Sequence, residues 1–289
     1  MRKTRLDGNT TVHGRYLDDY AEAVTIMKHV RDRGETFLGE SSLETGNRSW
    51  SGTDTLDEAI SLAEHGWPEG ARLLSDTVKG IDIDDLVGQR HVPVFIPDFG
   101  GDEVDIDRYL QGEPENMLRQ DVEYDANGKL ATLYVNVTNS ASVSSERIMR
   151  RGAVLLASHE LLTRAGYSLG IIAVEAASKN DTHVEYHIPI VEHGQYANVD
   201  TLAFCLANPA FLRRLVFTLN ENEDDSLRRT MSYVGRGGYG MPTRMALEPR
   251  PHSFVIDHEE GLDLPDDESV RELTRHIVDR LVTNTQDPA

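Results

Sequence analysis

The sequence has little cysteine, few positive charges and no long apolar run, and each shortage excludes a class of protein. Its 289 residues include a single cysteine, Cys205, which excludes an intrachain disulfide and a Cys2His2-type zinc site. No apolar stretch approaches the roughly 18 residues that a membrane-spanning helix needs. The basic stretch 1–7 is followed by no apolar segment. We therefore expect neither a secretory signal nor a membrane association.

Basic residues are scarce relative to acidic ones. Lysine and arginine total 29 against 49 aspartates and glutamates, so the formal net charge is −20. That charge repels a nucleic-acid backbone unless basic residues form one patch. The nearest approach to a patch is Arg147, Arg150, Arg151, Arg213 and Arg214, each of which lies among apolar neighbours on a predicted helix. We interpret these arginines as solvated helix edges, and we expect a protein partner or self-assembly rather than nucleic acid.

The first 125 residues show helical and irregular patterns. Apolar spacing predicts a helix over 17–30, and the Gly/Ser/Thr-rich stretch 39–53 is typical of a surface loop. A short strand is predicted over 91–96, and Pro93 places it at a sheet edge. The prediction for 1–125 is a helical and irregular N-terminal region.

The clearest local signal is a helical elbow with a tryptophan at its corner. Thr55 and Glu58 form a capping box, in which the hydroxyl and the carboxylate accept hydrogen bonds from free backbone N–H groups. Gly66 suits the left-handed residue that ends a helix, and Pro68 can begin the next one. Trp67 is interpreted as an aromatic plug between the two helices rather than as a ligand contact.

From residue 126 onward, strands alternate with helices. The predicted order is strand, helix, two strands joined by a turn, two short helices, strand and closing helix: 130–137, 145–165, 167–176, 183–191, 199–206, 209–215, 253–257 and 267–281. This order is typical of a layered, Rossmann-like α/β sheet. The predicted α/β domain covers 126–289.

Candidate binding residues follow two of the predicted strands. In open α/β sheets, ligands bind at the carboxyl ends of the strands. The hydroxyl-rich loop after the first strand and the acidic loop after the last one supply Asn136, Thr138, Ser140, Ser142, Asp257 and Glu259. No catalytic residue is predicted among them.

The spacing of Asn136, Thr138 and Ser140 resembles the first metal-binding loop of von Willebrand factor A domains, which has an Asp-x-Ser-x-Ser pattern. Asn136 stands at the Asp position. The order of elements over 129–282 is similar to that family as well, and 257–261 stands where the family has an Asp-Gly motif. Because Mg²⁺ favours carboxylate oxygens, the asparagine disfavours the ion without excluding it. The resemblance implies a degenerate, cofactor-free domain that serves as an interaction scaffold.

Other segments look similar to an uncharacterised family encoded by tailed phages, prophages and plasmids. They include the GWPEG-type motif and are 51–53, 56–59, 62–70, 144–153 and 206–215. This family has no assigned activity. The resemblance implies a viral or mobile-element origin, and hence a location in the cytoplasm of a prokaryotic host or in a virion.

Three functional hypotheses follow. The first is a non-enzymatic interaction module whose contact face joins the loop 136–142 to the acidic loop 257–267. The second is a virion structural or assembly component. The third is a metal-dependent enzyme or chelatase-like subunit, which requires carboxylates near the first loop; Glu259, Glu260 and Asp263 are the candidates.

The remaining chemical groups are assigned to structure. His183 and His187 are predicted on one strand face about 13 Å apart, too far for one metal ion. His159 lies on the apolar stripe of a helix and is interpreted as a hydrogen-bonded core residue. The glycine-rich stretch 235–240 is predicted to be a flexible surface loop rather than a phosphate site, and Cys205 is predicted to be an inert core thiol.

Overall fold

A computed structural model describes most of the chain, in two compact units. The described residues are 1–33, 48–77, 94–98, 103–104, 106–121, 130–164, 166–195, 197–233, 238–249 and 253–286. One unit contains 1–81 and 130–289, and the other contains 82–129. This division differs from the predicted boundary after residue 125, because the first strands and helices belong to the same unit as the α/β sheet.

The described part of the chain contains ten strands and ten α-helices. The strands are β1 (Arg2–Asp7), β2 (Thr10–Tyr16), β3 (Val94–Asp98), β4 (Glu103–Val104), β5 (Met117–Asp121), β6 (Leu130–Asn136), β7 (Ser168–Lys179), β8 (Thr182–Val191), β9 (Met241–Pro242) and β10 (Ser253–Ile256). The helices are α1 (Tyr20–Arg33), α2 (Arg48–Ser51), α3 (Leu56–His65), α4 (Pro68–Thr77), α5 (Ile106–Leu110), α6 (Ser145–Arg164), α7 (Val199–Ala207), α8 (Phe217–Glu221), α9 (Asp225–Met231) and α10 (Asp267–Gln286). A π-helix, Phe211–Val216, directly precedes α8.

The smaller unit has its own antiparallel sheet, in the order β3-β5-β4. Its strand β3 overlaps the strand predicted over 91–96, of which 91–93 lie outside the described residues. Pro97 stands opposite Leu118 in the pairing of β3 with β5.

The larger unit is built on a mixed sheet in the order β1-β2-β8-β7-β6-β10, with β9 beside the end of β7. Strands β6, β7 and β10 are parallel to one another, whereas β8 is antiparallel to β7. Helices connect the parallel strands, as an α/β fold requires. The predicted α/β class is therefore confirmed. The carboxyl ends of β6 and β10 are neighbours, because Ile256 pairs with Val135.

The N-terminal strands β1 and β2 were not predicted, and they extend this sheet. Strand β2 runs parallel to β8, with Gly14 opposite Glu185. Arg15 of β2 forms an ion pair with Glu223 at 2.5 Å. The following helix α1 is joined to α3 by an ion pair between Lys28 and Glu64 at 2.7 Å. Strand β1 is exposed throughout and its sequence RKTRLD does not alternate, so it gives no hydrophobic signal.

The two faces of the sheet are covered differently. One face carries Glu175 and Tyr186 and meets the π-helix region, where Tyr186 donates a hydrogen bond to the carbonyl of Leu219 at 3.2 Å. The other face carries Tyr134, Ile172 and Val174, against which Met245 packs. Residues 240–249, which we call the strap, supply Met245. The strap covers part of this face, and His193 lies over another part, against Thr132.

The predicted elbow is present with small differences. Thr55 Oγ1 accepts a hydrogen bond from the Glu58 N–H at 3.1 Å, but the Glu58 carboxylate bonds to the N–H of Asp54 rather than that of Thr55. Gly66 has φ of 82°, and the Trp67 N–H bonds to Asp200 of α7 at 2.8 Å. The predicted loop over 39–53 is wrong at its end, because α2 is helical; 39–47 lie outside the described residues.

Helices α6 and α7 pack closely because Gly152 lacks a side chain. A Cβ at Gly152 would lie 2.2 Å from the Cβ of Ala207. Real Cβ atoms do not approach so closely, so the contact selects glycine at this position.

Among the described helices, none has on its own both the length and the hydropathy to cross a membrane. Val199–Ala207 and Phe211–Glu221 meet these criteria only as a pair, and they are bent by 72° at the break between them.

Candidate binding surface

The candidate surface is the end of the sheet where β6 and β10 finish. We call it the crest and define it as residues 136–143 and 257–264. Asn136 lies at its base and is fully buried. Its Oδ1 accepts a hydrogen bond from the Thr138 N–H at 3.1 Å, and its Nδ2 donates to the Thr243 carbonyl at 2.8 Å and to Asp257 Oδ1 at 3.1 Å. Asn136 therefore joins the crest loops and the strap to one another.

Thr138 is buried as well, whereas the two serines are exposed. The Thr138 hydroxyl accepts a hydrogen bond from the Ala176 N–H at 2.7 Å, which ties the loop to β7. The hydroxyls of Ser140 and Ser142 lie 3.0 Å apart at the surface. Of the four residues predicted in this loop, only the two serines face solvent.

Asp257 and Glu259 of the second crest loop also differ in their exposure to solvent. Asp257 is half-buried, and its carboxylate accepts hydrogen bonds from Asn136 and, at 2.8 Å, from the N–H of His258; Arg244 lies 3.3 Å from its other oxygen. Glu259 is exposed, with the nearest imidazole nitrogen, of His258, at 3.8 Å. Glu259 is thus the carboxylate of the predicted set that a partner can reach.

A buried arginine holds the two strand ends together. Arg151 of α6 donates hydrogen bonds of 2.9 Å to the carbonyls of Asn136 and Asp257. Burial lowers its pKa to about 10, partly offset by the nearby Glu260 and Asp257 carboxylates, so Arg151 is charged at neutral pH. The interpretation of the arginines as solvated helix edges is wrong here: Arg151, Arg213 and Arg214 are buried.

Arg213 of the π-helix fastens the first loop of the crest. It donates to the carbonyl of Val143 at 2.7 Å and to that of Ser140 at 3.5 Å. Its guanidinium also bonds to the Trp50 carbonyl and lies 4.5 Å from the centre of the Trp50 ring. The indole N–H of Trp50 in turn donates to the Ala141 carbonyl at 3.0 Å. Helix α2 therefore packs against the first loop of the crest.

Two further arginines of α6 fasten the second loop. Arg147 donates to the Leu262 carbonyl at 2.8 Å and forms an ion pair with Asp263 at 2.5 Å. Arg150 donates to the Leu264 carbonyl at 2.9 Å. Both loops of the crest are thus held mainly through their backbone carbonyls, and of their exposed side chains Asp263 is the one that pairs with an arginine.

The donor groups of the crest do not fit Mg²⁺. The oxygens of Asn136, Thr138 and Asp257 already accept hydrogen bonds from protein N–H groups. The Arg151 guanidinium, a fixed positive charge, lies behind them and would repel a cation. A hard cation needs several oxygens turned toward one point, and these are turned toward the backbone.

One family model matches residues 7–281, and it describes a domain of unknown function, DUF7192. The chain belongs to this family. No curated protein and no solved structure matches the chain.

In this DUF7192 chain, the three acids named for an enzymatic site point in different directions. Glu260 accepts a hydrogen bond from the Asp257 N–H at 3.2 Å. The Asp263 side chain is 95% exposed and pairs with Arg147. Glu259 faces solvent. Across the described ranges, no group of three or more His, Cys, Asp or Glu is placed to hold a metal ion.

A buried carboxylate with several partners lies elsewhere, under the strap. Glu185 of β8 is fully buried, and its two oxygens contact His183 Nε2 at 2.7 Å and His187 Nε2 at 3.1 Å. The N–H groups of Ala246 and Leu247 in the strap also donate to this carboxylate. The two histidines were predicted to lie about 13 Å apart on one strand face, yet the Nε2 atoms of both contact this one carboxylate, a shared partner that was not predicted. The signal was the His-x-Glu-x-His alternation, which places all three on one strand face.

Cys205, His159 and the glycine-rich stretch were predicted to have structural rather than functional roles, and the structure bears on each prediction differently. Cys205 is buried, and burial raises the pKa of its thiol, as expected of an inert core cysteine. His159 is half-buried, and among the described residues no group hydrogen-bonds to it, contrary to prediction. Of the glycine-rich stretch, 235–237 lie outside the described residues. Tyr239 stacks on Phe217 with ring centres 3.6 Å apart and is no part of a free loop.

Proposed function

We propose that the chain is a non-enzymatic protein-interaction module on a degenerate von Willebrand A-like scaffold, encoded by a phage or mobile element. Its contact face is the exposed part of the crest, namely Ser140, Ala141, Ser142, Glu259 and Asp263. The observation that carries the proposal is that arginine side chains hold the backbone of both crest loops.

A held backbone favours recognition because binding costs less ordering. Loops that must be fixed on association lose part of the interaction energy, and preorganised loops avoid that loss. Arg213 and Arg151 supply this preorganisation from buried positions, without using any exposed side chain. The exposed groups are hydroxyls and carboxylates, and the whole chain carries a net charge of −20. A partner with a basic, hydrogen-bonding surface complements them.

The topology supports the scaffold part of the proposal. Along the chain, β6 is followed by α6, by the hairpin β7–β8 and later by β10, which is the order of elements on which the sequence resemblance rests. Ligands of open α/β sheets bind at the end where the crest lies. The non-enzymatic part is supported by the crest oxygens, which are engaged in internal hydrogen bonds rather than converging on one point.

The decisive experiment compares charge reversal on and off the crest. The variant Ser142→Arg/Glu259→Arg should lose partners that the wild type captures from a lysate of the native cells, with capture weakening as NaCl rises. Glu192→Arg, an exposed position at the exit of β8, is the matched control and should capture the same proteins. Equal capture by the wild type and the double variant would exclude the crest as the contact face.

A second experiment tests whether the proposed interaction module works without a bound metal ion. Thermal unfolding with 5 mM MgCl₂, at roughly the concentration where weak Mg²⁺ sites fill, should match that with EDTA to within about 1 °C. A rise of several degrees with Mg²⁺ would transfer support to the metal-dependent enzyme or chelatase-like alternative. A closed oligomer by mass measurement in solution would instead support the virion structural alternative.

A further inference from the structure

A second candidate site lies at the end of the sheet opposite to the crest. It is a pocket of about 450 Å³ between α4, α6, α7 and the first residues of β7. Buried aliphatic side chains, among them Leu74, Leu156, Leu169 and Leu202, form most of its wall. Several lining residues, among them Thr163 and Val199, are exposed, so the pocket opens to solvent and can admit a small ligand. Its volume falls within the range of small-ligand sites.

Polar side chains interrupt the largely apolar wall, and one of them is an imidazole. His159 lines the pocket from α6, and among the described residues no protein group hydrogen-bonds to its imidazole. Burial lowers the pKa of His159, so the ring is neutral at neutral pH. A neutral imidazole donates one hydrogen bond and accepts another. A ligand with a hydroxyl or a carbonyl group can satisfy it.

Charge selects among amphiphilic ligands. Glu160 lies beside His159 in the lining and is exposed, and the chain has a net charge of −20. Both features disfavour an anionic head group such as a carboxylate. We propose that this pocket binds a small neutral amphiphile, with its apolar body between α4, α6 and α7 and its single hydroxyl or carbonyl group on His159. This site is independent of the crest and of the proposed interaction function.

The test uses the full chain and a neutral fluorescent probe, N-phenyl-1-naphthylamine. The probe should bind with increased emission, and 1-decanol should displace it at a concentration about 10-fold lower than decanoate does. Failure of the probe to bind, or displacement by decanoate as readily as by decanol, would overturn the proposal. Such a result would leave the crest hypothesis untouched.

Variants locate the binding. His159→Phe keeps an apolar pocket of similar size, so probe binding should persist while decanol binds several-fold more weakly. His276→Phe on the exposed face of α10 is the matched control and should change nothing. Ala71→Trp should fill the pocket and abolish probe binding. Thr163→Trp changes an exposed lining residue and decides the question if Ala71→Trp does not fold. Unchanged probe binding in a folded tryptophan variant would show that another site binds the probe.

Discussion

Glu185 illustrates how a buried charge is stabilised in this chain. Burial alone would raise its pKa, but hydrogen bonds from His183, His187 and the Ala246 N–H outweigh that effect and lower the pKa to about 2. A carboxyl with a lowered pKa stabilises the fold above the ordinary pKa of about 4.5, and that contribution is lost as the pH falls toward 2. The ionised form of Glu185 is therefore one of the contacts that hold the strap on the sheet.

We expect Glu185→Gln to destabilise the protein by about 2–4 kcal/mol at pH 7, because two imidazoles and two strap N–H groups lose a charged acceptor. Urea unfolding at pH 7 measures this. The free energy of unfolding of the variant should also fall less steeply than that of the wild type between pH 4.5 and the acid limit of the fold. Glu192→Gln, at an exposed position, should cost less than about 0.5 kcal/mol. Equal losses in the two variants would contradict the assigned role.

Glu175 is the opposite case, on the helix-covered face of the sheet. Burial raises its pKa to about 8, with a smaller opposing effect from the Asn220 amide. One of its oxygens has no hydrogen-bond partner among the described residues, and neither has the hydroxyl of Tyr233. A raised carboxyl pKa gives stability that is fully present below pH 4.5 and is lost as the pH rises through 8.

We therefore expect Glu175→Gln to stabilise the protein at pH 8 by about 2 kcal/mol, because the amide carries no charge that burial penalises. At pH 5 the two proteins should differ little. Thermal or urea unfolding across pH 5–9 measures the difference. A variant that is less stable than the wild type at pH 8 would show that the wild-type carboxylate is ionised and hydrogen-bonded in the fold.

At the scale of elements, the short helix α2 and the π-helix meet the crest through Trp50 and Arg213. Trp50→Ala removes the indole bond to the Ala141 carbonyl and the surface on which Arg213 stacks. We expect a stability loss of about 1–2 kcal/mol and faster amide hydrogen exchange at Val143, whose N–H bonds to the Ser140 carbonyl. The stability and the exchange rate of Trp50→Phe should lie between those of the wild type and of Trp50→Ala, because phenylalanine keeps a ring but has no N–H.

The control for this change is Trp67→Phe, which leaves the crest loop untouched and should not alter exchange at Val143. Unchanged exchange in Trp50→Ala would mean that the Arg213 bonds alone hold the loop. The proposed preorganisation would then rest on Arg213 rather than on α2.

Element identity was predictable where apolar side chains repeat with a clear period. The strand predicted over 130–137 and the helix predicted over 145–165 correspond to β6 and α6 within one residue at each end. Strand β1 escaped prediction because none of its residues is buried. The π-helix escaped because its apolar spacing fits an ordinary helix, and only a backbone hydrogen-bond pattern distinguishes the two.

At the scale of the molecule, residue types located the crest but not its accessibility. Asn136 and Thr138 are polar residues at the end of a buried strand, a pattern that fits solvent contact and internal capping equally well. Whether such a residue contacts solvent or caps the backbone internally depends on partners distant in sequence, which are Thr243 for Asn136 and Ala176 for Thr138. The burial of Arg151 depends in the same way on Asp257. Contacts over such separations are set by packing, which no local pattern encodes.

The net charge of −20 gives a prediction for the whole chain. Like charges on one surface destabilise the compact state, and salt weakens this repulsion because the screening length falls from about 10 Å at 0.1 M to about 3 Å at 1 M. We expect the Tm to rise by about 5 °C between 0.05 M and 1 M NaCl, mostly at the lower concentrations. Sucrose at equal osmolality controls for exclusion of solutes from the surface. Neutralising exposed acids, as in Glu192→Gln/Glu259→Gln/Glu272→Gln, should make the salt dependence shallower. A Tm that falls with salt would mean that attractive ion pairs such as Arg15–Glu223 outweigh the repulsion, because screening would then remove more stability than it restores.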